Sequence, residues 1–161
     1  MKNDKLIIER IFDAPVKEVW KYFSEAELYK KWWGPEGFSA PVIKMDFRVG
    51  GKFLGAMHGP KGSEFDKDLW SMGTYKEIVP HKKIVVTDSF ADANGNIVPS
   101  SYYGMEGFPL EMFITLEFED LGERTKLTLT HSGIKGISDK DREGMNEGWN
   151  SSLNKLAQSL K

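Results

Sequence analysis

The side chains best suited to acid–base or metal chemistry near neutral pH in this sequence of 161 residues are its three histidines. His58, His81 and His131 lie far apart along the chain, and none has a second ligand at the spacing of a metal motif such as His-Glu-x-x-His. We therefore predict no metal site and no bound cofactor. His131 ends an alternating segment, which favours a hydrogen-bonded residue at the end of a strand; a general acid or base is the alternative.

Two acidic segments, residues 64–68 and residues 92–96, carry Asp, Glu or Asn at alternate positions, as a calcium-binding loop does. The calcium motif also requires Gly at its sixth position and Glu at its twelfth. The two segments have Leu69 or Ile97 at the first of these positions and a tyrosine at the second. We interpret both segments as solvated turns. The chain has no Gly-x-Ser-x-Gly motif, so the sequence does not predict nucleophilic catalysis by a serine.

The composition excludes several classes of partner. Hydrophobic residues make up 40% of the chain, charged residues make up 29%, and the net charge is −2. These values are typical of a globular protein, and no basic stripe is present to bind nucleic acid. The absence of cysteine excludes disulfides and thiolate chemistry. No apolar run approaches the ~20 residues of a membrane span or forms the core of a signal peptide, so we expect a cytoplasmic protein without membrane insertion.

The hydrophobic pattern predicts the elements that must position these side chains. Residues 6–12 alternate as in a strand. Asp13, as an N-cap, and Pro15 then suit the start of a short amphipathic helix, and Ser24 with Glu27 form a capping box for a second one. Six further strands are predicted over residues 42–49, 52–58, 69–79, 84–90, 112–118 and 125–131. We expect a single domain that spans residues 1–161.

Residues 91–111 connect the fifth and sixth predicted strands without a clear periodic pattern. Structureless connections of about 20 residues are uncommon in compact domains and are usually functional lids, unless they contain a strand. We predict a lid over these residues, with an additional strand as the alternative.

The last predicted element is a long helix from Ser138, whose hydroxyl suits a cap with Asp141 three residues on, to Lys161. Its apolar face is formed by Met145, Trp149, Leu153, Leu156 and Leu160, and the edge of that face by Gly144, Gly148 and Ser152. A glycine inside a helix costs about 1 kcal/mol relative to Ala. The two glycines therefore suggest a close approach of another backbone or an unfilled volume; simple tolerance near the helix start is the alternative.

The order of elements, β-α-α-β6-α, resembles that of the START-like, helix-grip (SRPBCC) superfamily. Motifs along nearly the whole chain resemble those of its activator of Hsp90 ATPase homologue 1-like family. They are Arg10-Ile11-Phe12-Asp13-Ala14-Pro15 with Val19-Trp20, Trp32-Trp33-Gly34-Pro35-Glu36-Gly37-Phe38, Asp46-Phe47-Arg48-Val49-Gly50-Gly51, Gly73-Thr74-Tyr75-Lys76-Glu77-Ile78, Phe118-Glu119-Asp120, Thr125-Lys126-Leu127-Thr128-Leu129 and Gly148-Trp149-Asn150-Ser151-Ser152-Leu153. The resemblance implies an α+β helix-grip fold, in which a seven-stranded, curved antiparallel sheet wraps around the long C-terminal helix.

In such a fold the strand positions that face the helix can be pocket wall and core together, and Met with aromatic side chains suits a planar hydrophobic guest. The predicted ligand-binding residues are Trp33, Phe47, Met57, Trp70, Met72, Tyr75, Phe90, Tyr103, Met105, Phe108, Met112, Ile114, Gly148, Trp149 and Ser152. Tyr75, Tyr103 and His131 are the candidate acids if the protein is an enzyme. For Arg10 and Asp46 we favour structural ion pairs or surface contacts over ligand contacts.

The leading functional hypothesis is a carrier or sensor, without catalysis, of a small and mainly hydrophobic molecule of aromatic or polyketide-like character. It would enter beneath residues 91–111 and lie against Gly148 and Trp149. The resemblance also implies two alternatives: an enzyme similar to the polyketide cyclases and aromatases of the superfamily, and a stress-response activator of a chaperone ATPase. Family cochaperones carry a separate N-terminal chaperone-binding domain, so a chaperone is the partner we expect least. We expect a monomer or a weak homodimer.

Overall fold

Seven strands and three α-helices make up the structure, a computed structural model that describes residues 4–161. The strands are β1 (Lys5–Phe12), β2 (Ser39–Met45), β3 (Lys52–His58), β4 (Asp68–Val79), β5 (Lys83–Ala91), β6 (Met112–Asp120) and β7 (Thr125–Ser132). The helices are α1 (Val16–Ser24), α2 (Ala26–Tyr29) and α3 (Asp139–Ser159), and one turn of 3₁₀ helix spans Ser100–Tyr103. This order confirms the predicted β-α-α-β6-α arrangement.

All seven strands belong to one antiparallel sheet, in the order β1-β7-β6-β5-β4-β3-β2. Because β1 and β2 are the two edges, the chain enters the sheet at one edge and crosses to the other through α1 and α2. It then returns strand by strand. The curved sheet packs against α3, and the predicted helix-grip fold is confirmed.

One row of side chains crosses the face of the sheet that α3 covers. Tyr75 on β4 lies opposite Val86 on β5. Val86 lies opposite Ile114 on β6, and Ile114 lies opposite His131 on β7. Directly opposite residues in antiparallel strands point to the same face, so the register alone brings these four side chains into line.

The apolar face of α3 seals this side of the sheet. Leu153 and Leu156 are fully buried, and complete burial of one leucine side chain contributes about 1.5–3 kcal/mol to folding. The helix begins as predicted, since the backbone N–H of Asp141 donates to the hydroxyl of Ser138 at 3.0 Å. Among residues 4–161, no helix combines the length and hydrophobicity needed to cross a bilayer.

Both predicted short helices form, but the second ends at Tyr29 instead of continuing through Trp32 to Gly34-Pro35, and the predicted caps are wrong. Pro15, rather than Asp13, is the N-cap of α1, and no side chain bonds there. The hydroxyl of Ser24 donates back to the carbonyl oxygen of Trp20 at 3.0 Å, and the N-cap of α2 is Glu25, without a capping side-chain bond. The aromatic rings of these helices hold them to the sheet instead, because Trp20 packs edge-to-face on Phe118 of β6.

The strand predicted over residues 42–49 lies three to four residues earlier than expected, as β2. It ends at Met45 because the chain then turns: the N–H of Arg48 donates to the carbonyl oxygen of Asp46 at 2.8 Å, and the N–H of Gly51 donates to that of Arg48 at 2.8 Å. The Arg48 guanidinium also pairs with the Asp46 carboxylate at 2.9 Å on the surface. A Cβ at Gly51 would lie only 1.9 Å from the Asp46 carbonyl oxygen, so this turn requires glycine.

Residues 91–111 contain no further strand, and the alternative of a hidden strand is wrong. The segment has a single bridge between Ala91 and Ile97 and the short 3₁₀ helix. The hydroxyl of Tyr103 fixes the segment to the sheet: it donates to the carbonyl oxygen of Ala91 at 2.5 Å and accepts from the N–H of Trp70 at 3.0 Å.

Candidate functional site

A cavity of about 240 Å³ lies between the inner face of the sheet, α3 and the segment that contains α2. Its wall is mainly apolar. The residues that line it are Phe23, Tyr29, Trp33, Pro35, Phe53, Met57, Ser71, Met72, Tyr75, Ile84, Val86, Thr87, Asp88, Ile114, Leu116, His131, Met145, Gly148, Trp149 and Ser152. The cavity therefore sits where the row of paired side chains meets α3.

Two aromatic residues build the wall on the β3 side. Trp33 packs edge-to-face on Phe53, with ring centroids 5.5 Å apart. Gly55 provides the space for this packing, since an added Cβ would come within 3.0 Å of both rings and of Ile43. Tyr29 tilts against the same two rings. This wall is thus rigid, which suits a flat guest.

A polar array crosses the cavity from the helix to the sheet. The indole N–H of Trp149 donates to Nδ1 of His131 at 3.0 Å, and Nε2 of His131 lies 3.2 Å from Oδ2 of Asp88. An indole nitrogen can only donate, so Nδ1 must carry the lone pair and, in the neutral ring, Nε2 carries the proton. His131 is 5% exposed, and the angle at Nε2 falls short of a good hydrogen bond although the distance is short. Asp88 therefore lies at the end of the array and does not accept a good hydrogen bond from His131.

Two tyrosine hydroxyls accompany this array. Burial raises the pKa of Tyr29 well above its ordinary value, and the charges of Tyr75 and Asp88 raise it further. Burial also raises the pKa of Tyr75, whose hydroxyl lies 3.9 Å from the sulfur of Met45. Tyr29 keeps some accessible surface because its ring faces the cavity. Both hydroxyls stay protonated at neutral pH and are available as hydrogen-bond donors.

The small edge of α3 forms part of the wall. Gly148 and Ser152 line the cavity, and a Cβ at Gly148 would meet only Pro35, at 3.8 Å. Gly144 lies one turn earlier, outside the lining, and a Cβ there would meet nothing within 4 Å. The unfilled volume therefore adjoins Gly148, and neither glycine is required by a close approach of another backbone.

Lys155 positions the loop after α2 that covers one end of the cavity. Its ammonium donates to the carbonyl oxygens of Gly34, Pro35 and Phe38 at 3.0, 3.4 and 3.1 Å. Partial burial lowers the pKa of Lys155, while the charge of Glu36 opposes that shift. The three bonds use all the protons of the ammonium, so this cation serves the loop rather than the cavity.

Eight of the fifteen predicted ligand-binding residues line the cavity, as does the candidate acid His131. The eight are Trp33, Met57, Met72, Tyr75, Ile114, Gly148, Trp149 and Ser152. Their contact with a ligand stays a prediction.

The other seven predicted residues lie outside this cavity: Phe47, Trp70, Phe90, Tyr103, Met105, Phe108 and Met112. Phe47 is in the turn after β2 and packs behind Tyr75. Phe90 is covered by Tyr103 and Phe108, with ring centroids 6.2 and 5.7 Å apart, so the aromatic residues of residues 91–111 form their own cluster. Entry beneath that segment is correspondingly not supported, since none of residues 91–111 reaches the cavity wall.

Two of the polar residues that line the site, Tyr29 and Asp88, are not predicted from the sequence. Tyr29 ends a four-residue helix that has too few residues to show a periodic face. Asp88 carried a usable signal, because an acidic residue in the middle of the otherwise apolar segment 84–90 is costly unless it is paired or functional. Its position beside His131 depends on the pairing of β5, β6 and β7, which a single sequence does not reveal.

The remaining polar groups singled out from the sequence serve turns and element contacts. Arg10 donates to the side chain of Asn150 on α3 at 3.1 Å, as expected for a structural contact. The Asp92 carboxylate accepts from the backbone N–H groups of Asn94 and Asn96 at 2.9 Å, the arrangement of an ordinary turn. Within residues 4–161, no three His, Asp or Glu side chains are grouped so that they could hold a metal ion.

The fold agrees with what comparison of the chain with known proteins shows. A family model described as Activator of Hsp90 ATPase homolog 1-like protein matches residues 13–161. The chain belongs to this family. The predicted membership is thereby confirmed, and with it the place of the chain in the SRPBCC superfamily. No curated protein matches this Activator of Hsp90 ATPase homolog 1-like chain.

Solved structures support the same assignment. A crystallised protein from Chromobacterium violaceum is 28% identical, with 98% of this chain and 96% of that chain covered and a TM-score of 0.77. The solution structure of a protein from Arthrobacter aurescens is 26% identical over 98% of this chain and 86% of that chain, with a TM-score of 0.80. The AHSA1 protein from Silicibacter pomeroyi is 23% identical over 97% and 96% of the two chains, with a TM-score of 0.74, and this likeness shows the fold alone.

Proposed function

We propose that this protein binds a small, flat and mainly hydrophobic molecule between the sheet and α3, and acts as a carrier or sensor. The observation that carries the proposal is the cavity itself, whose apolar wall has a few polar groups converging at one side. An apolar cavity of about 150 Å³ is enough for benzene. A cavity of about 240 Å³ therefore suits a molecule of two fused rings.

An unfilled volume among apolar side chains is costly, because the atoms that line it lose packing contacts. Here the volume adjoins Gly148, where a single Cβ would meet only Pro35 at an ordinary contact distance. Alanine at this helical position would also gain about 1 kcal/mol of helix propensity. That the sequence instead keeps the space supports a site for a guest.

The indole N–H signals of the five tryptophans provide the test. Trp33 and Trp149 line the cavity, whereas Trp20, Trp32 and Trp70 do not and serve as internal controls. In ¹H–¹⁵N spectra, naphthalen-2-ylmethanol and similar bicyclic compounds should shift the first two signals and leave the other three in place. If a panel of such compounds shifts neither cavity signal, or all five alike, the proposal is wrong.

A catalytic role is the second candidate, favoured by one observation: an imidazole, a carboxylate and two phenols face the same cavity. His131 contacts Asp88 at 3.2 Å, and Tyr29 and Tyr75 supply neutral acids. In this role the protein would resemble the polyketide cyclases of its superfamily and turn over a polyketide-like chain. Turnover should then fall in Tyr75→Phe and His131→Gln but not in Tyr103→Phe, whose hydroxyl lies outside the cavity. Unchanged products from the first two variants would remove the catalytic candidate.

A further inference from the structure

We propose that the ligand of this cavity is an aromatic amine, bound in its protonated form with its nitrogen on Asp88, and that the cavity rejects ligands that carry a carboxylate. This inference rests on the proposed function, because it names the ligand class for the same site. It follows from three properties of the wall: its formal charge, the direction of its hydrogen bonds and the faces of its aromatic rings.

The formal charge of the wall is negative. Asp88 is the only Asp or Glu among the described residues that line the cavity, and no Lys or Arg is among them. Lys155 of α3 donates its three protons to backbone carbonyl oxygens of the loop after α2. A carboxylate guest would thus meet a like charge and no cation, whereas an ammonium would gain an opposite charge in a partly desolvated site.

The polar array ends at Asp88. Trp149 donates to Nδ1 of His131, and Nε2 of His131 lies 3.2 Å from Oδ2 of Asp88 at an angle too poor for a hydrogen bond. The bond from Trp149 occupies the lone pair of Nδ1, so His131 offers Asp88 only its Nε2 side. Within residues 4–161, Asp88 has no Lys or Arg partner, and its other oxygen has no hydrogen-bond donor. Asp88 is 24% exposed, so a guest that donates to it would take the place of solvent.

The tyrosine hydroxyls do not reverse this preference. They could donate to a carboxylate, but Tyr29 and Asp88 line the same cavity, and burial together with the charges of Tyr75 and Asp88 raises the pKa of Tyr29. An anion held by Tyr29 would experience the same repulsion that disfavours its phenolate. A cation in this position would instead lie among the aromatic side chains of Tyr29, Trp33 and Trp149, and aromatic rings attract positive charge over their faces.

The test compares three probes of one shape by calorimetry at neutral pH: naphthalen-2-ylmethanamine, naphthalen-2-ylmethanol and 2-naphthoate. We expect the amine to bind at least about tenfold more tightly than 2-naphthoate, with the alcohol between them. Asp88→Asn, which keeps the shape and removes the charge, should weaken the amine and strengthen 2-naphthoate, so that the ratio falls to about threefold or less. Glu117→Gln removes one negative charge on the exposed face of β6 and should leave the ratio unchanged.

Two results would overturn the inference and still leave the cavity as a binding site. If the alcohol binds and 2-naphthoate binds as tightly as the amine, the ligand class is wrong while the cavity remains a binding site. If Asp88→Asn leaves the ratio at its original value, Asp88 is not the recognising group. If no probe binds, both the site and the inference are wrong.

Discussion

Trp149 of α3 donates its indole proton to Nδ1 of His131 on β7 at 3.0 Å, and this bond joins the gripped helix to the sheet across the cavity. The two residues belong to different elements, α3 and β7, and the bond fixes which nitrogen of the neutral imidazole carries the proton. It therefore couples the geometry of the helix to the chemistry of the site. A substitution at Trp149 should change the tautomer of His131 and its contact with Asp88 without changing the fold.

Replacing Trp149 with Phe should lower the free energy of unfolding by about 1–3 kcal/mol beyond the loss of ring contacts, since it strands a buried acceptor. The readout specific to the bond is the ¹⁵N spectrum of His131, which should show an unprotonated Nδ1 in the native protein and a mixture of tautomers in the variant. Trp70→Phe is the control, because it removes the same atoms from an indole outside the cavity. Equal losses in the two variants, with no change at His131, would contradict this role.

Filling the cavity from the helix side should abolish binding without unfolding the protein. Gly148→Leu places a side chain beside the unfilled volume and should weaken naphthalen-2-ylmethanol at least about tenfold. Gly144→Leu gains the same helix propensity at an open position outside the lining and should leave affinity unchanged. Thermal unfolding checks that both variants are folded. Equal affinity in the two variants would place the ligand elsewhere.

Removing the three hydrogen bonds of Lys155 should make the loop after α2 less stable. Lys155→Met keeps the aliphatic stem but loses three bonds from a charged donor, and hydrogen bonds to charged groups contribute about 1.5–3 kcal/mol. We expect a loss of roughly 2 kcal/mol in urea unfolding and faster amide exchange at Phe38. Lys161→Met, at the exposed C-terminus, is the matched control. Unchanged exchange at Phe38 would show that the loop is held by other contacts.

The loop between β3 and β4 should depend on pH through His58. Hydrogen bonds that His58 donates to the carboxylates of Asp68 and Asp66 raise the pKa of His58 above 6.5, and bonds from the Gly62 N–H and from His58 lower the pKa of Asp66 below 3.8. The contribution of His58 is thus fully present below pH 6.5 and is lost as the pH rises through its raised pKa. That of Asp66 is present above pH 3.8 and is lost as the pH falls through its lowered pKa.

Ring signals of His58 followed by NMR should therefore titrate above pH 6.5, and the protection of the Gly62 amide, measured relative to the intrinsic base-catalysed exchange rate, should fall over the same range. His58→Gln should remove this pH dependence of exchange. Titration of His58 at or below 6.5 would mean that the two carboxylates do not hold it in solution.

The fold followed from the sequence because each element carried its own local signal. The alternation in residues 125–131 and the cap at Ser138 depend on neighbours only a few positions away, and the structure reproduces both. The misplaced bounds of β2 have a physical reason. The turn from Asp46 to Gly51 is built from backbone hydrogen bonds, which an apolar run through residues 42–49 does not reveal.

The site was harder to predict because it depends on register and facing. His131 enters the cavity only because it pairs with Ile114, and Asp88 lies beside it only because β5 and β6 are aligned as they are. Aromatic content was a poor guide for the same reason. Phe90 is an aromatic residue of the kind expected in a cavity wall. It nevertheless packs against Tyr103 and Phe108 of residues 91–111 and not against the cavity.

The position of Gly148 has an evolutionary consequence. Most of the cavity wall also forms the folding core, so substitutions such as those at Phe53 or Leu116 would alter guest selectivity and protein stability together. Gly148 escapes this conflict, because an added side chain there meets open space rather than the sheet. Descendants of this protein could therefore diverge in the size of their ligands by single changes on one helical turn, while the seven strands beneath remain as they are.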